Sequence, residues 1–268
     1  MSRSKPKIRL DVLLVERGLV ESRALAQRMI LAGQVQVDGS PTLKPGTRVS
    51  PESQVSLEQR PRYVSRGGEK LEAALQTFNL EVISKICADV GASTGGFTDC
   101  LLQHGAARVY AIDVGQGILA WKLRQNPAVV VLEGTNARYV EKLPEPIDVV
   151  TIDASFISLR IFFPVVKHWF SPIEGNLLAL IKPHFEAGKR EADRTKGVIR
   201  NPEIHRRVLK EILTSAQVEG FHVRGLIRSP LLGPKGNVEF LAWLSLPQGK
   251  TLKLDELINP TLEKLKIL

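Results

Sequence analysis

The feature that most constrains the fold is a regular alternation of short apolar runs and amphipathic stretches from about residue 85 onward. Apolar runs of strand length that alternate with segments of helical periodicity are typical of a parallel α/β sheet. The last two apolar runs are joined by a loop too short for a parallel crossover, so they predict an antiparallel hairpin at the end of the sheet. The predicted strands are residues 86–90, 109–114, 129–132, 147–152, 177–181, 223–229 and 238–245, and the predicted helices are residues 97–104, 118–124, 159–170 and 202–217.

The first 60 residues have a different pattern, which predicts a small α+β domain. Residues 8–17 have helical spacing, and Ser22 is a suitable N-cap for a second helix over residues 23–32. Residues 34–39 then alternate apolar and polar side chains like a strand that closes in an Asp-Gly turn. A polar stretch interrupted by proline, residues 59–62, is the predicted link to the rest of the chain.

The positive charge of the chain is concentrated near its N-terminus. The net charge is +9, and residues 1–68 contain twelve Lys or Arg against six Asp or Glu, so the remaining 200 residues contribute only +3. A surface that binds nucleic-acid phosphates needs such a concentration of positive charge. The distribution therefore favours a nucleic-acid partner.

Cysteine content and hydropathy exclude several other classes of protein. The two cysteines, Cys87 and Cys100, lie in apolar stretches, so neither a disulfide framework nor a zinc site is expected. No signal-peptide pattern follows the charged N-terminus, and no apolar run reaches the length of a membrane span. We therefore expect a cytoplasmic protein.

A glycine-rich turn follows the first strand of the predicted sheet. Glycines there let backbone amides approach a ligand at the carboxyl end of the sheet, the usual ligand site in open α/β folds. Asp113, at the end of the next strand, can accept hydrogen bonds from a ribose diol. Ser93 replaces the second glycine of a dinucleotide-binding turn, and no P-loop Lys-Ser or Lys-Thr follows, so we predict an adenosine-containing cofactor of another kind. The candidate cofactor residues of the turn are Asp89, Gly91, Ser93, Thr94, Gly95, Gly96 and Phe97.

Four titratable residues stand at the edges of apolar segments: Lys70, Asp153, Lys182 and Glu239. Asp153 and Lys182 end predicted parallel strands, so they belong to the same rim of the sheet as the glycine turn. Glu239 enters the predicted hairpin. Each residue alone is more often a solvated strand end, and it is their combination that indicates a catalytic site.

The order and local contexts of these four residues resemble the tetrad of the ribose 2'-O-methyltransferases of the FtsJ class. Near the N-terminus, the series from Arg9-Leu-Asp to Gly33-Gln-Val-Gln-Val-Asp38-Gly39 resembles the alpha-L RNA-binding motif first known from a small-subunit ribosomal protein. Over residues 8–245 the whole chain is similar to the TlyA family, also called hemolysin A. The most specific segments are residues 63–71, 89–99 and 181–186.

The resemblance implies an enzyme that transfers a methyl group from S-adenosylmethionine to a ribose 2'-hydroxyl, of a cytidine in ribosomal RNA, without a metal. Its partners would be ribosomal RNA or ribosomal subunits, and no membrane. It also implies an RNA-binding domain at residues 1–60, a linker at 61–66 and a Rossmann-like FtsJ-like methyltransferase domain at 67–250. The tail that follows, residues 251–268, is expected to form a surface helix.

This reaction gives each tetrad residue an expected role. Because a ribose hydroxyl is a poor nucleophile, catalysis must align oxygen, methyl carbon and sulfur and assist loss of the proton. Lys182 would accept that proton or stabilise the forming alkoxide, Asp153 would orient Lys182, and Glu239 would hold the hydroxyl or the second lysine. His184 is expected to pack or to contact RNA. Further cofactor candidates are Asn136 and Asp153, and the RNA-binding candidates are Arg9, Arg23, Arg28, Lys189 and Arg190.

Three other interpretations stay open at this point. A membrane-damaging protein would fit the hemolysin label, although no strongly amphipathic basic helix supports it. A catalytically silent RNA-binding protein would not need the intact tetrad and glycine turn. A base methyltransferase would need a motif such as Asn/Asp-Pro-Pro-Tyr, which the segment Asp153-Ala-Ser-Phe does not provide.

Overall fold

The structure is a computed structural model that describes residues 6–57, 61–171, 174–188, 191, 195–247 and 253–263. The chain divides into two compact units, Met1–Arg62 and Tyr63–Leu268. The first unit is a small α+β domain, and the second is an α/β domain built on a seven-stranded sheet.

The first unit packs two helices on short strands. Its elements are β1 (Ile8–Arg9), α1 (Leu10–Glu16), α2 (Arg23–Leu31), β2 (Val35–Val37), β3 (Ser40–Pro41), β4 (Arg48–Val49) and β5 (Val55–Leu57). The helix predicted over residues 8–17 begins only at Leu10, because the two residues before it pair with β4. Ser22 caps α2 by accepting a hydrogen bond from the backbone N–H of Leu25. β2 pairs with β3 and β5, and Asp38 and Gly39 join β2 to β3 with both residues at positive φ.

The second unit is built on a mixed sheet with the strand order β11-β12-β10-β9-β6-β7-β8. The five strands from β10 to β8 in this order run parallel. β12 runs antiparallel to both β10 and β11, which confirms the predicted mostly parallel α/β sheet with an antiparallel end. Its strands are β6 (Ile86–Val90), β7 (Arg108–Ile112), β8 (Val129–Leu132), β9 (Val149–Ile152), β10 (Gly175–Ile181), β11 (His222–Arg228) and β12 (Phe240–Leu246).

The helices of the second unit are α3 (Gly67–Phe78), α4 (Gly96–Gln103), α5 (Trp121–Arg124), α6 (Phe163–Val166), α7 (Pro183–Glu186), α8 (Pro202–Val218) and α9 (Leu254–Glu263). Several of them depart from the predicted pattern. α3 and α7 were not predicted, and the helix predicted over residues 118–124 begins only at Trp121. The helix predicted over residues 159–170 is a 3-10 turn followed by the short α6, and the tail helix α9 buries Ile258 and Leu262 in the core instead of lying on the surface.

Alternate residues of β6 point into two different cores. Cys87 packs with residues of α3 and α4, whereas Ala88 and Val90 pack with residues of α6, α8 and α9. Because side chains alternate along a strand, the sheet is covered on both faces. Because β6, β7, β9 and β10 run parallel, their carboxyl ends meet at one edge of the sheet. Ligands bind at this edge in open α/β sheets. Among the described residues, none of the helices has the length and apolar character needed to cross a membrane.

Candidate active site

The glycine turn after β6 is fixed by its close approach to the chain that follows β9. Gly91 has a φ of +81°, and a Cβ on it would lie 2.7 Å from the carbonyl oxygen of Asp153. Asp113, after β7, accepts hydrogen bonds from the backbone N–H groups of Ser93 at 2.8 Å and Gly115 at 2.7 Å. A carboxylate has about four lone-pair sites, so these two bonds leave Asp113 able to accept from a ligand.

Asp89 supports this turn from beneath. Its side chain is fully buried, and it accepts hydrogen bonds from the backbone N–H and the hydroxyl of Thr98 and from the hydroxyl of Thr151. Burial raises the pKa of Asp89 to about 6, against the opposing effect of these hydrogen bonds. Asp89 lines neither of the cavities described below, so the structure does not bring this cofactor candidate to the ligand surface.

Gly95 also faces away from the cavities. Its φ is +95°, and a Cβ on it would lie 2.2 Å from Leu123 and 2.8 Å from Leu119. Its backbone N–H donates to the carbonyl of Ala92 at 2.7 Å. The glycine at this position lets the turn pack against α5, and its amide is already bonded within the turn.

Two adjoining cavities open beside the turn. The larger has a volume of about 760 Å³, and the smaller has a volume of about 420 Å³. Both are bordered by Gly91, Ser93, Asp153 and Ser155, so the two cavities adjoin. The larger cavity also has in its wall Val90, Ile112, Asp113, Asn136, Phe156 and Phe162. The smaller cavity also has in its wall Thr94, Gly96, Phe97, Lys70, Lys182 and Glu239.

The structure brings all four tetrad residues to the smaller cavity, where they form two ion pairs. Lys182 Nζ lies 2.6 Å from Asp153 Oδ1, and Lys70 Nζ lies 2.5 Å from Glu239 Oε2. Lys182 is directed by its place between β10 and α7, since the following proline holds it in an extended conformation. The Glu239 side chain is fully buried, and no described residue gives its Oε1 a hydrogen bond. A buried acceptor without a partner is uncommon, and this oxygen lies against Gly233, where a Cβ would stand 2.0 Å from it.

His184 stands next to the two lysines without a titrating role at neutral pH. Burial, together with the positive charges of Lys182 and Lys70, lowers the pKa of His184 to about 4. The centroid of its ring lies 4.1 Å from the ring centroid of Phe185. Over the described part of the chain, no group of three or more His, Cys, Asp or Glu side chains is placed to hold a metal ion.

The remaining cofactor candidate, Asn136, borders the larger cavity. Its side-chain oxygen accepts a hydrogen bond from the backbone N–H of Arg138 at 3.2 Å. The amide NH₂ is not used by this bond, so it can donate into the cavity.

Two of the three RNA-binding candidates in the first unit contact a buried carboxylate. Asp11 accepts hydrogen bonds from Arg9, Arg23 and Gln27, and the Arg9 guanidinium holds the pKa of Asp11 well below its usual range. Arg9 and Arg23 nevertheless keep about half of their side-chain surface exposed, and Arg28 is exposed. Asp11 therefore orients two of the three arginines. The candidates Lys189 and Arg190 lie outside the described residues.

Sequence reasoning missed several residues of the smaller cavity. Ser155 belongs to no recognisable motif, yet its hydroxyl oxygen lies 2.9 Å from Lys182 Nζ. Ser65 and Gly67 form one wall at the start of α3, and Gly233 forms another. The signal for Ser155 was its place two residues after Asp153, because the loop after a parallel strand of such a sheet borders the ligand site.

Both units are similar to known protein families. The model of FtsJ-like methyltransferases matches residues 63–246, and the model of the S4 domain matches residues 8–55. The protein YqxC of Bacillus subtilis is 46% identical, over 98% of this chain and 95% of YqxC. The 16S/23S rRNA (cytidine-2'-O)-methyltransferase TlyA of Mycobacterium tuberculosis is 43% identical, over 92% of each chain. A solved structure from Streptococcus thermophilus is similar with a TM-score of 0.73 and 40% identity, over 98% of both chains.

Proposed function

We propose that this chain, which belongs to the FtsJ-like methyltransferase family, methylates a ribose 2'-hydroxyl of a cytidine in ribosomal RNA. An S4 domain precedes its methyltransferase domain. The methyl donor is S-adenosylmethionine. The observation that carries the proposal is the meeting of two lysine–carboxylate pairs in a cavity that adjoins a second cavity beneath a glycine turn. The relative TlyA of Mycobacterium tuberculosis, named for the same reaction, supports it.

The larger cavity fits the cofactor. Its volume of about 760 Å³ lies in the range of small-molecule sites, and its wall combines apolar side chains with a few polar groups. Asp113 would accept hydrogen bonds from the ribose hydroxyls, Asn136 would contact the adenosine, and Ile112 and Phe162 would pack against it. S-adenosylmethionine supplies an electrophilic methyl group on a positively charged sulfur. Asp153 borders both cavities, so its carboxylate would lie near that charge.

The smaller cavity supplies what the acceptor needs. The 2'-hydroxyl must lose its proton as its oxygen attacks, and a positioned amine can take that proton or stabilise the developing negative charge. Lys182 is the group for this step, because its amine borders the cavity and Asp153 orients it. As the ammonium of this ion pair it would stabilise the developing negative charge, and it would take the hydroxyl proton only after releasing one of its own to solvent. Glu239 would hold the amine of Lys70 at the wall of this cavity, beside the hydroxyl.

The first unit would supply affinity for RNA. Arg9 and Arg23, oriented by Asp11, and the exposed Arg28 offer guanidinium groups for phosphate contacts. Such contacts add affinity without selecting a sequence. Selection of one cytidine would therefore depend on the fit of the RNA to both domains.

Mapping of ribose methylation tests the proposal. Ribosomal subunits from a strain that lacks the gene are incubated with the purified protein and S-adenosylmethionine, and 2'-O-methylated positions are read by resistance of the adjacent phosphodiester to alkaline cleavage. We expect new protection at a cytidine, and none with Lys182→Ala. Methylation that appears on a base instead, or the absence of methylation on free RNA and on both subunits, would refute the proposal.

A further inference from the structure

The amine of Lys182 has a second partner besides Asp153. Lys182 Nζ donates a hydrogen bond to Ser155 Oγ at 2.9 Å, in addition to its 2.6 Å ion pair with Asp153. A lysine amine sits on a flexible four-carbon stem with rotatable donors, so one ion pair alone leaves its direction loosely defined. Two partners at different positions restrict that direction.

Ser155 stands at the junction of the two cavities. It is among the few residues that border both of them, and its side chain is exposed to their space. The cofactor and the acceptor oxygen must meet at this junction for methyl transfer. The contact between Ser155 and Lys182 therefore fixes the amine at the place where the reaction needs it.

The loop that carries Ser155 is held on both sides. The backbone N–H of Asp153 donates to the carbonyl of Val90 at 2.9 Å, which ties the start of the loop to β6. Phe156 has a φ of +63°, an uncommon conformation for a bulky side chain, and its ring packs 4.8 Å from the ring of Phe185 on α7. Phe156 is otherwise 89% exposed. These two contacts hold the backbone of the loop on either side of Ser155.

We propose that Ser155 is a positioning residue for methyl transfer, whose hydroxyl oxygen accepts a hydrogen bond from Lys182 Nζ and fixes that amine at the junction of the two cavities. The inference rests on the proposed function, in which Lys182 acts on the 2'-oxygen. Ser155 takes no proton in the reaction and holds neither ligand tightly. Its loss affects the rate of the chemical step and leaves binding unchanged.

Three substitutions at this position separate the hydroxyl from the shape of the side chain. Ser155→Thr keeps the hydroxyl, Ser155→Val has nearly the same shape as threonine without it, and Ser155→Ala removes it without added bulk. The single-turnover rate is measured with saturating RNA and S-adenosylmethionine, and the dissociation constants are measured separately. Misplacement of a reacting group by about 1 Å can cost about a hundredfold in rate. We therefore expect Ser155→Val and Ser155→Ala to be about 10- to 100-fold slower and Ser155→Thr to stay within about threefold of the unchanged protein.

The controls separate this inference from folding effects and from the proposed function. Thermal unfolding followed by tryptophan fluorescence should be the same for the threonine and valine variants. Equal rates for Ser155→Thr and Ser155→Val, or a Ser155→Ala rate within twofold of the unchanged protein, would overturn the inference. A loss of cofactor or RNA affinity that accounts for the whole effect would also overturn it. If the unchanged protein forms no 2'-O-methylcytidine, the proposed function fails first.

Discussion

Removal of one partner of the buried pair of Lys70 and Glu239 should lower the free energy of unfolding more than removal of both charges. Their side chains are 12% and 0% exposed, and their charged atoms lie 2.5 Å apart. Glu239→Gln keeps the shape and one acceptor but leaves the ammonium of Lys70 without a counter-charge. Loss of one partner of a buried pair typically costs about 3–5 kcal/mol. Because Lys70 borders a cavity that water can enter, we expect a smaller loss, about 2 kcal/mol, which corresponds to a fall in Tm of about 4–8 °C for a domain of this size.

Tryptophan fluorescence is a selective assay for this change. All three tryptophans, Trp121, Trp169 and Trp243, belong to the second unit, so their emission reports the unfolding of the domain that holds the pair. Lys70→Met combined with Glu239→Gln removes the unpaired charge and should recover at least half of the lost stability.

The pair of Lys167 and Glu219 is the matched control. It has an N–O distance of 2.8 Å, but both side chains are about 30% exposed. Glu219→Gln should therefore cost less than about 1 kcal/mol. The reasoning is refuted if Glu239→Gln costs no more than this control, or if the double variant is less stable than Glu239→Gln alone.

Three further results are expected. Gly91→Ala places a Cβ 2.7 Å from the carbonyl of Asp153 at a positive φ, so the dissociation constant of S-adenosylmethionine should rise at least about tenfold by calorimetry; unchanged affinity in a folded variant would mean that the turn does not hold the cofactor. Arg28→Gln should reduce the slope of log affinity for RNA against log salt by about 1, as the loss of one phosphate contact predicts, and an identical slope would exclude Arg28 from the interface. The pKa of Asp89 is raised to about 6, so the folded state keeps a proton that the unfolded state releases near pH 4. The contribution of Asp89 to stability therefore falls as the pH rises from about 4 to 6. The pKa of His184 is lowered to about 4, so the unfolded state holds a proton that the folded state has lost, and the contribution of His184 to stability rises from about pH 4 to 6.5. In urea unfolding over this range, Asp89→Asn should make stability rise more steeply with pH and His184→Gln less steeply, and changes of the same sign would contradict the assignment.

Periodicity predicted the sheet well because each strand has a local signal. The strands Ile86–Val90 and Val129–Leu132 have the predicted bounds, and the antiparallel end followed from loop length alone. α3 was missed because it begins with two glycines, which are poor helix formers. A Cβ on Gly68 would lie 2.2 Å from the ring of Tyr63. Such a close approach between neighbouring segments depends on tertiary packing and leaves no periodic signal.

The site shows the same division between local and tertiary information. The positions of Asp153 and Lys182 after parallel strands placed them on one edge of the sheet before any coordinates. The distribution of the two lysines between the two carboxylates, and the hydroxyl of Ser155 beside one of them, required the structure. Gly95 was predicted to contact the cofactor because it lies in the glycine turn. In the structure a side chain at this position would point at Leu119 and Leu123 and away from the cavities.

The central claim is that Lys182 acts on the acceptor oxygen, and a single-turnover measurement tests it most directly. With saturating RNA and S-adenosylmethionine, the rate of 2'-O-methylation isolates the chemical step from binding. General-base assistance is typically worth about 10²–10⁴ in rate. The Lys182→Ala rate should therefore fall by at least about a hundredfold, while both dissociation constants stay within a few-fold of those of the unchanged protein. Lys182→Arg should fail as well, because a guanidinium stays protonated and differs in geometry. A Lys182→Ala rate within tenfold of the unchanged protein would contradict the account and would favour a methyl acceptor other than the ribose.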